Sequence, residues 1–174
     1  MMDAQPVNPP NVERDALMVQ CISRSTAHFG LNPLLIQAVI NVEGGGTGTS
    51  RNSNGTIDYG LMQINDVKMP EVRARFPTVT KQELTHNRCI NVAVGTWVLY
   101  DHAQSSGSVW KAIAWYNSKT PGVGDVYRRK VMNEYNKLIR DPVAIATYKQ
   151  ALISYIRQAQ QGKAFSFDSY VVKR

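Results

Sequence analysis

Between Asn32 and Gly46 the chain reads NPLLIQAVINVEGGG, and few folds can hold such a segment. Asn followed by Pro is a strong helix start, because Asn can cap free amides and Pro is tolerated in the first turn. Leu34, Leu35, Ile36, Ala38, Val39, Ile40 and Val42 then place apolar groups on nearly every side, so the helix must be central and buried. Gly44, Gly45 and Gly46 end it and leave Glu43 in its last turn. The negative end of the helix dipole and partial burial both disfavour a carboxylate there, which pushes its pKa upward, as a general acid working near neutral pH requires.

The rest of the chain reads as mostly helical. Residues 1–11 carry three prolines and suggest an extended lead-in. Leu17, Cys21, Ile22 and Phe29 predict an amphipathic helix from Val12 to about Phe29, ended by Gly30. Thr47 to Asp58 is polar, and Asn54-Gly55 is a strong hairpin signal, so a small two-stranded or irregular lobe is expected. Gly60-Leu61-Met62-Gln63-Ile64-Asn65 is too short for periodicity to classify and reads as the start of a helical turn. Short helices follow over Asp66–Phe76 and Thr80–Asn87. Cys89, Val92, Ala93, Thr96, Trp97 and Tyr100 mark a long helix ended by Gly107, and Ser108 caps the next, VWKAIAWYN. Further helices run from Asp125 to Arg140 and from Val143 to about Gln161, separated by Asp141-Pro142. The tail FSFDSYVVKR has no clear form.

With 43% apolar and 19% charged residues in 174, the chain suits one globular domain with an appendage. The expected division is a lead-in over 1–11, a catalytic domain over 12–140 and a C-terminal helix and tail over 141–174. A net charge of +7 favours anionic partners without choosing among them. No apolar run reaches the roughly 18 residues of a membrane span, and the N-terminus lacks the basic-then-apolar pattern of a secretory signal. Cys21 and Cys89 leave two readings open, buried thiols or one disulfide in an oxidising compartment. His28, His86 and His102 show no metal-ligand spacing, and the glycine triplet lacks the downstream Lys-Ser/Thr of a phosphate loop. No cofactor is implied.

Three motifs stand in one order: Glu43 ending an apolar helix, Gly60-Leu61-Met62-Gln63-Ile64-Asn65 after a polar loop, and Ala114-Trp115-Tyr116-Asn117 ending a later helix. Together, with Val126-Tyr127 and Val131 opening the next helix, they resemble the lysozyme-like lytic transglycosylases of the soluble-lytic-transglycosylase family, especially the small members that accompany secretion, conjugation and pilus systems. The resemblance covers about residues 15–140. It implies an α+β, mostly α fold with a small polar lobe beside a helical body. It also implies a periplasmic or cell-envelope location, peptidoglycan strands as substrate, and components of such an apparatus as partners. No nucleic acid is expected. The cysteines resemble those of the small members, which implies a Cys21–Cys89 disulfide. Two positions depart from the family pattern: Gly44 replaces the usual Ser after the acid, and Ser118 the usual Gly after Asn117.

The activity so implied is cleavage of the β-1,4 bond between N-acetylmuramic acid and N-acetylglucosamine, with Glu43 acting first as acid and then as base to give a 1,6-anhydro sugar. By the same resemblance Gln63, Met62, Tyr116, Asn117 and Tyr127 contact the sugars or hold Glu43. Asp58 reads either as a turn-making residue or as a second carboxylate across the cleft. In the latter case a lysozyme-type hydrolase using Glu43 and Asp58 becomes the alternative. A catalytically weak peptidoglycan-binding scaffold is the alternative from another class. The run Arg128-Arg129-Lys130 is a solvated helix face or a contact for the anionic wall or a partner.

Overall fold

A computed structural model describes residues 10–163, with side chains from residue 16 onward. Eight helices and one three-stranded antiparallel sheet make up the described chain, the α+β, mostly α architecture that the sequence suggests. The helices are α1 (Pro10–Phe29), α2 (Pro33–Glu43), α3 (Met69–Arg75), α4 (Lys81–His86), α5 (Arg88–Ser106), α6 (Val109–Asn117), α7 (Val123–Leu138) and α8 (Pro142–Gln160). Between α2 and α3 lie β1 (Thr49–Arg51), β2 (Ile57–Tyr59), β3 (Ile64–Asn65) and a 3₁₀ turn, Asp66–Lys68.

The caps explain most boundaries. Asn32 accepts from the Leu34 amide at 2.9 Å and opens α2 with Pro33 in its first turn. Thr80 and Glu83 form a reciprocal capping box on α4, and Ser108 accepts from the Lys111 amide to start α6. The lead-in is shorter than expected, because Pro10 and Asn11 already belong to α1; a proline costs a helix nothing in its first turn, where no donor is needed. Residues 1–9 and the tail from 164 lie outside the described residues.

Leu34, Leu35, Ile36, Ala38, Val39 and Ile40 of α2 are all buried, so the helix runs through the core as its composition requires. It packs against α1, α7 and α8, while α5 packs on α1, α4 and α6. Cys21 of α1 and Cys89 of α5 are joined in a disulfide, with Cα atoms 4.8 Å apart. On α8, Tyr148 is buried, and its hydroxyl donates to Gln37 Oε1 of α2 at 2.5 Å.

The segment 60–65 differs from expectation. Gly60 and Gln63 both have positive φ, 69° and 49°, which turns the chain back so that Ile64 and Asn65 pair with Tyr59 and Asp58. A third strand forms where a helical turn was expected. Buried Asn91 of α5 holds this turn. Its Oδ1 accepts from the Met62 amide at 2.8 Å, and its Nδ2 donates to the carbonyls of Tyr59 at 2.7 Å and Leu84 at 2.8 Å. An Asn91→Ala variant strands buried backbone groups, and should lose about 2–3 kcal/mol in denaturant unfolding. A cost under about 0.5 kcal/mol would show that Asn91 does not hold the lobe.

Candidate active site

Glu43 enters the site from the C-terminal end of α2, where Gly44 takes the left-handed conformation (φ 61°) and its amide closes the helix on the Ile40 carbonyl at 3.0 Å. This gives a physical reason for glycine where the family pattern has serine, since a side chain at that φ is strained. The following residue is constrained by space. A Cβ on Gly45 would overlap the Gly60 carbonyl and the Gln63 amide, so the acid-bearing end of α2 and the turn at 60–63 can approach only through a glycine.

The Glu43 carboxyl is partly buried and accepts a hydrogen bond from the Tyr127 hydroxyl of α7 at 2.5 Å. Burial pushes its pKa from 4.5 up to about 7; the Tyr127 bond pulls against that rise and the charge of Asp58 adds to it. Tyr127 is itself buried, and its hydroxyl pKa lies well above the usual tyrosine range, chiefly through burial and then the adjacent Glu43 charge. It therefore remains a donor throughout the working pH range. Tyr116 stacks on Tyr127, with centroids 6.4 Å apart, and donates to the Met62 carbonyl at 2.8 Å.

Glu43 opens onto a cleft of about 690 Å³ whose lining includes Asn52, Asp58, Gln63, Asn65, Tyr116 and Asn117. Asp58 projects from β2 into this cleft rather than merely shaping a turn. Its two oxygens accept from Asn52 Nδ2 at 2.8 Å and Asn65 Nδ2 at 2.7 Å, an arrangement that satisfies the charged form. Gln63 donates its side-chain amide to the Gly60 carbonyl at 2.7 Å, and it is the sole non-glycine residue with positive φ among those described. Such a conformation beside the acid is a local strain held by its surroundings.

Of the residues expected to meet substrate, Gln63, Tyr116 and Asn117 line the cleft. Met62 does not: its side chain is wholly buried and packs against Gly95 of α5, so only its carbonyl serves the site, through Tyr116. Tyr127 stands behind Glu43 as its hydrogen-bond donor. His28 and His86 are exposed, whereas His102 is buried beside the cleft. Asn52, Asn65, Asn91, His102 and Lys119 were not legible as site residues. Asn65 closes the 60–65 motif; Asn52 and Lys119 act through contacts four to six residues away, and Asn91 and His102 through contacts more distant in sequence.

Tyr127→Phe removes the donor that stabilises ionised Glu43. The Glu43 pKa should rise further, so the alkaline limb of any activity that needs its acid form should move to higher pH. Loss of the orienting bond should lower the rate at pH 6 by about tenfold. A pH–rate profile checks both, and an alkaline limb moving to lower pH would contradict the role given to Tyr127.

A family model described as transglycosylase SLT domain matches residues 20–140. Among curated relatives, a peptidoglycan-binding-like protein of Escherichia coli O157:H7 is 31% identical over 105 residues, covering 56% of this chain and 63% of that protein. Invasion protein IagB of Salmonella typhimurium is 34% identical over 91 residues, covering 50% of this chain and 56% of that protein. Protein IpgF of Shigella flexneri is 26% identical over 120 residues, covering 63% of this chain and 78% of that protein. The match thus spans less than two thirds of the first two relatives' own length. No helix among the described residues is long and apolar enough to cross a membrane. With the family model covering most of the chain, including Glu43, the cleft motifs and Tyr127, this protein belongs to the transglycosylase SLT domain family.

Proposed function

We propose that this chain is a peptidoglycan lytic transglycosylase, cutting the bond between N-acetylmuramic acid and N-acetylglucosamine to leave 1,6-anhydro ends. The observation that carries the reading is Glu43: one carboxyl in a polar cleft, raised to about 7 by burial and held by Tyr127. Its protonated form passes a proton to the glycosidic oxygen as the C1–O bond breaks and positive charge develops on the muramyl ring. The resulting carboxylate takes the proton of the C6 hydroxyl, O6 bonds to C1, and Glu43 returns to its acid form. No water is consumed. Asp58, held by hydrogen bonds from Asn52 and Asn65, supplies negative charge across the cleft as the cation develops.

The names of the relatives support a setting as well as a reaction. Some are called peptidoglycan-binding-like and others invasion or Ipg proteins, which fits cutting a local gap in the wall for an envelope-spanning apparatus. The Cys21–Cys89 disulfide fits an oxidising, periplasmic location. In this reading α8, beyond the family match, is a packed extension bracing α2 through Tyr148 and Gln37.

Digestion of purified sacculi followed by mass spectrometry tests the reaction. Anhydromuramyl products are expected; reducing ends alone would replace the reading with a hydrolase using Glu43 and Asp58. The presence of Asp58 in the same cleft is the observation favouring that second reading. A chain that sediments with sacculi and releases nothing would instead be a binding scaffold.

A further inference from the structure

The cleft is electrically asymmetric. Glu43 and Asp58 are its acids, while Lys68, from the 3₁₀ turn, and Lys119, from the loop after α6, also line it with His102 and Trp115. Lys119 Nζ lies 4.9 Å from the Trp115 ring centroid, and Lys111 Nζ lies 5.1 Å from it. Among the described residues neither lysine has an acidic partner at ion-pair distance, whereas Lys68 pairs with Glu71 at 3.1 Å. Two cations over one indole gain from the ring, yet they repel each other and attract an anion.

His102 adds an independent sign of a missing partner. It is 3% exposed, its ring meets Trp115 edge-on at 6.1 Å, and its buried Nε2 has no hydrogen-bond partner among the described atoms. A buried polar atom left unpaired is costly, and most such atoms find a partner in protein, water or ligand. Burial first, then the charges of Lys68 and Lys119, lower the His102 pKa against weaker opposition from Asp101 and Glu71. Both lysines therefore act on this imidazole, whose unpaired Nε2 has a hydrogen bond left to make.

We propose that the part of the cleft where Lys68, His102, Trp115 and Lys119 converge is a subsite for a carboxylate carried on the branch of a muramyl residue. This rests on the reading of the cleft as a glycan site. The N-acetylglucosamine units are uncharged and give Lys119, which has no acidic partner among the described residues, nothing to neutralise. A muramyl residue carries a lactyl carboxyl or, when that is amidated, a peptide with its own carboxylates. The charge thus sits on a branch away from the scissile bond.

The test measures binding by calorimetry, with a Glu43→Gln background keeping ligands intact. Four soluble ligands are compared: chitin oligosaccharides, strands stripped to the lactyl carboxylate, strands with peptides, and strands whose peptide carboxylates are amidated. A carboxylate-bearing strand should bind about tenfold more tightly than chitin or the amidated strand. The stripped and peptide strands show which carboxylate is read. Lys119→Glu should erase the preference, and His102→Phe should reduce it. Equal affinity for charged and uncharged ligands, binding to none, or a preference that survives Lys119→Glu would overturn the subsite. Sacculus digestion by the unmodified protein is scored separately. A carboxylate preference without cleavage would remove the lyase reading and keep the subsite; cleavage without preference would do the reverse.

Discussion

Glu43→Gln is expected to lower cleavage of glycan strands by about 10²–10⁴-fold while making the protein more stable above pH 7. Gln keeps the shape of the side chain and an oxygen for Tyr127 to meet, but it has no proton to give. In the unaltered protein the acid form prevails below about pH 7, so activity should be full there and fall about tenfold per pH unit above it. Retention of near-full turnover by the Gln variant would remove Glu43 from its role.

The stability effect has the opposite sign and the same cause. Below pH 4.5 the carboxyl is protonated in folded and unfolded chains alike, and contributes no difference. Between 4.5 and about 7 only the folded chain holds the proton, so stability falls as pH rises; above 7 the whole cost of burying the anion persists. At 1.36 kcal/mol per pH unit this amounts to about 3 kcal/mol by pH 8. Gln escapes the slope. Denaturant unfolding at pH 4 and pH 8 should show variant and parent nearly equal at the lower pH and the variant ahead at the higher. A variant that is weaker at pH 8 would mean that burial is not what raises the Glu43 pKa.

What was readable in the sequence divides by the range of the interactions. The ends of α2 are local chemistry, Asn32 with Pro33 at one and the glycines at the other, and so the position of Glu43 on a buried helix followed directly. The third strand depends on Gln63 adopting a left-handed conformation, for which its residue type gives no warning. Asn91 reads as one polar residue in an apolar stripe, yet its partners lie 7, 29 and 32 residues away. Met62 shows the reverse error. It belongs to a motif that the family resemblance assigns to substrate, but the alternation of that turn sends its side chain into the core against Gly95. Local capping and periodicity placed the scaffold; contacts across the chain decided which face of each motif meets the cleft.

Replacing Cys21 and Cys89 together by Ala should lower stability by about 4 kcal/mol, because the bond closes a loop of 68 residues that the unfolded chain would otherwise explore freely. For a chain of this size that corresponds to a melting temperature lower by about 10 °C. The bond ties α1 to α5 only two residues before Asn91, so a second mechanism competes: loss of the crosslink loosens the turn at 59–63 and with it the cleft. The two make different predictions for activity. If the crosslink acts on the unfolded chain, the double variant should cleave at the parent's rate at 25 °C, well below its transition, and fail only as it unfolds. The hydrogen bonds of Asn91 run to backbone groups of β2, the turn and α4 and involve neither cysteine, and this favours the first outcome. A rate that falls at 25 °C in step with a loss of hydrogen-exchange protection at the Met62 amide would instead place the crosslink's effect in the folded lobe.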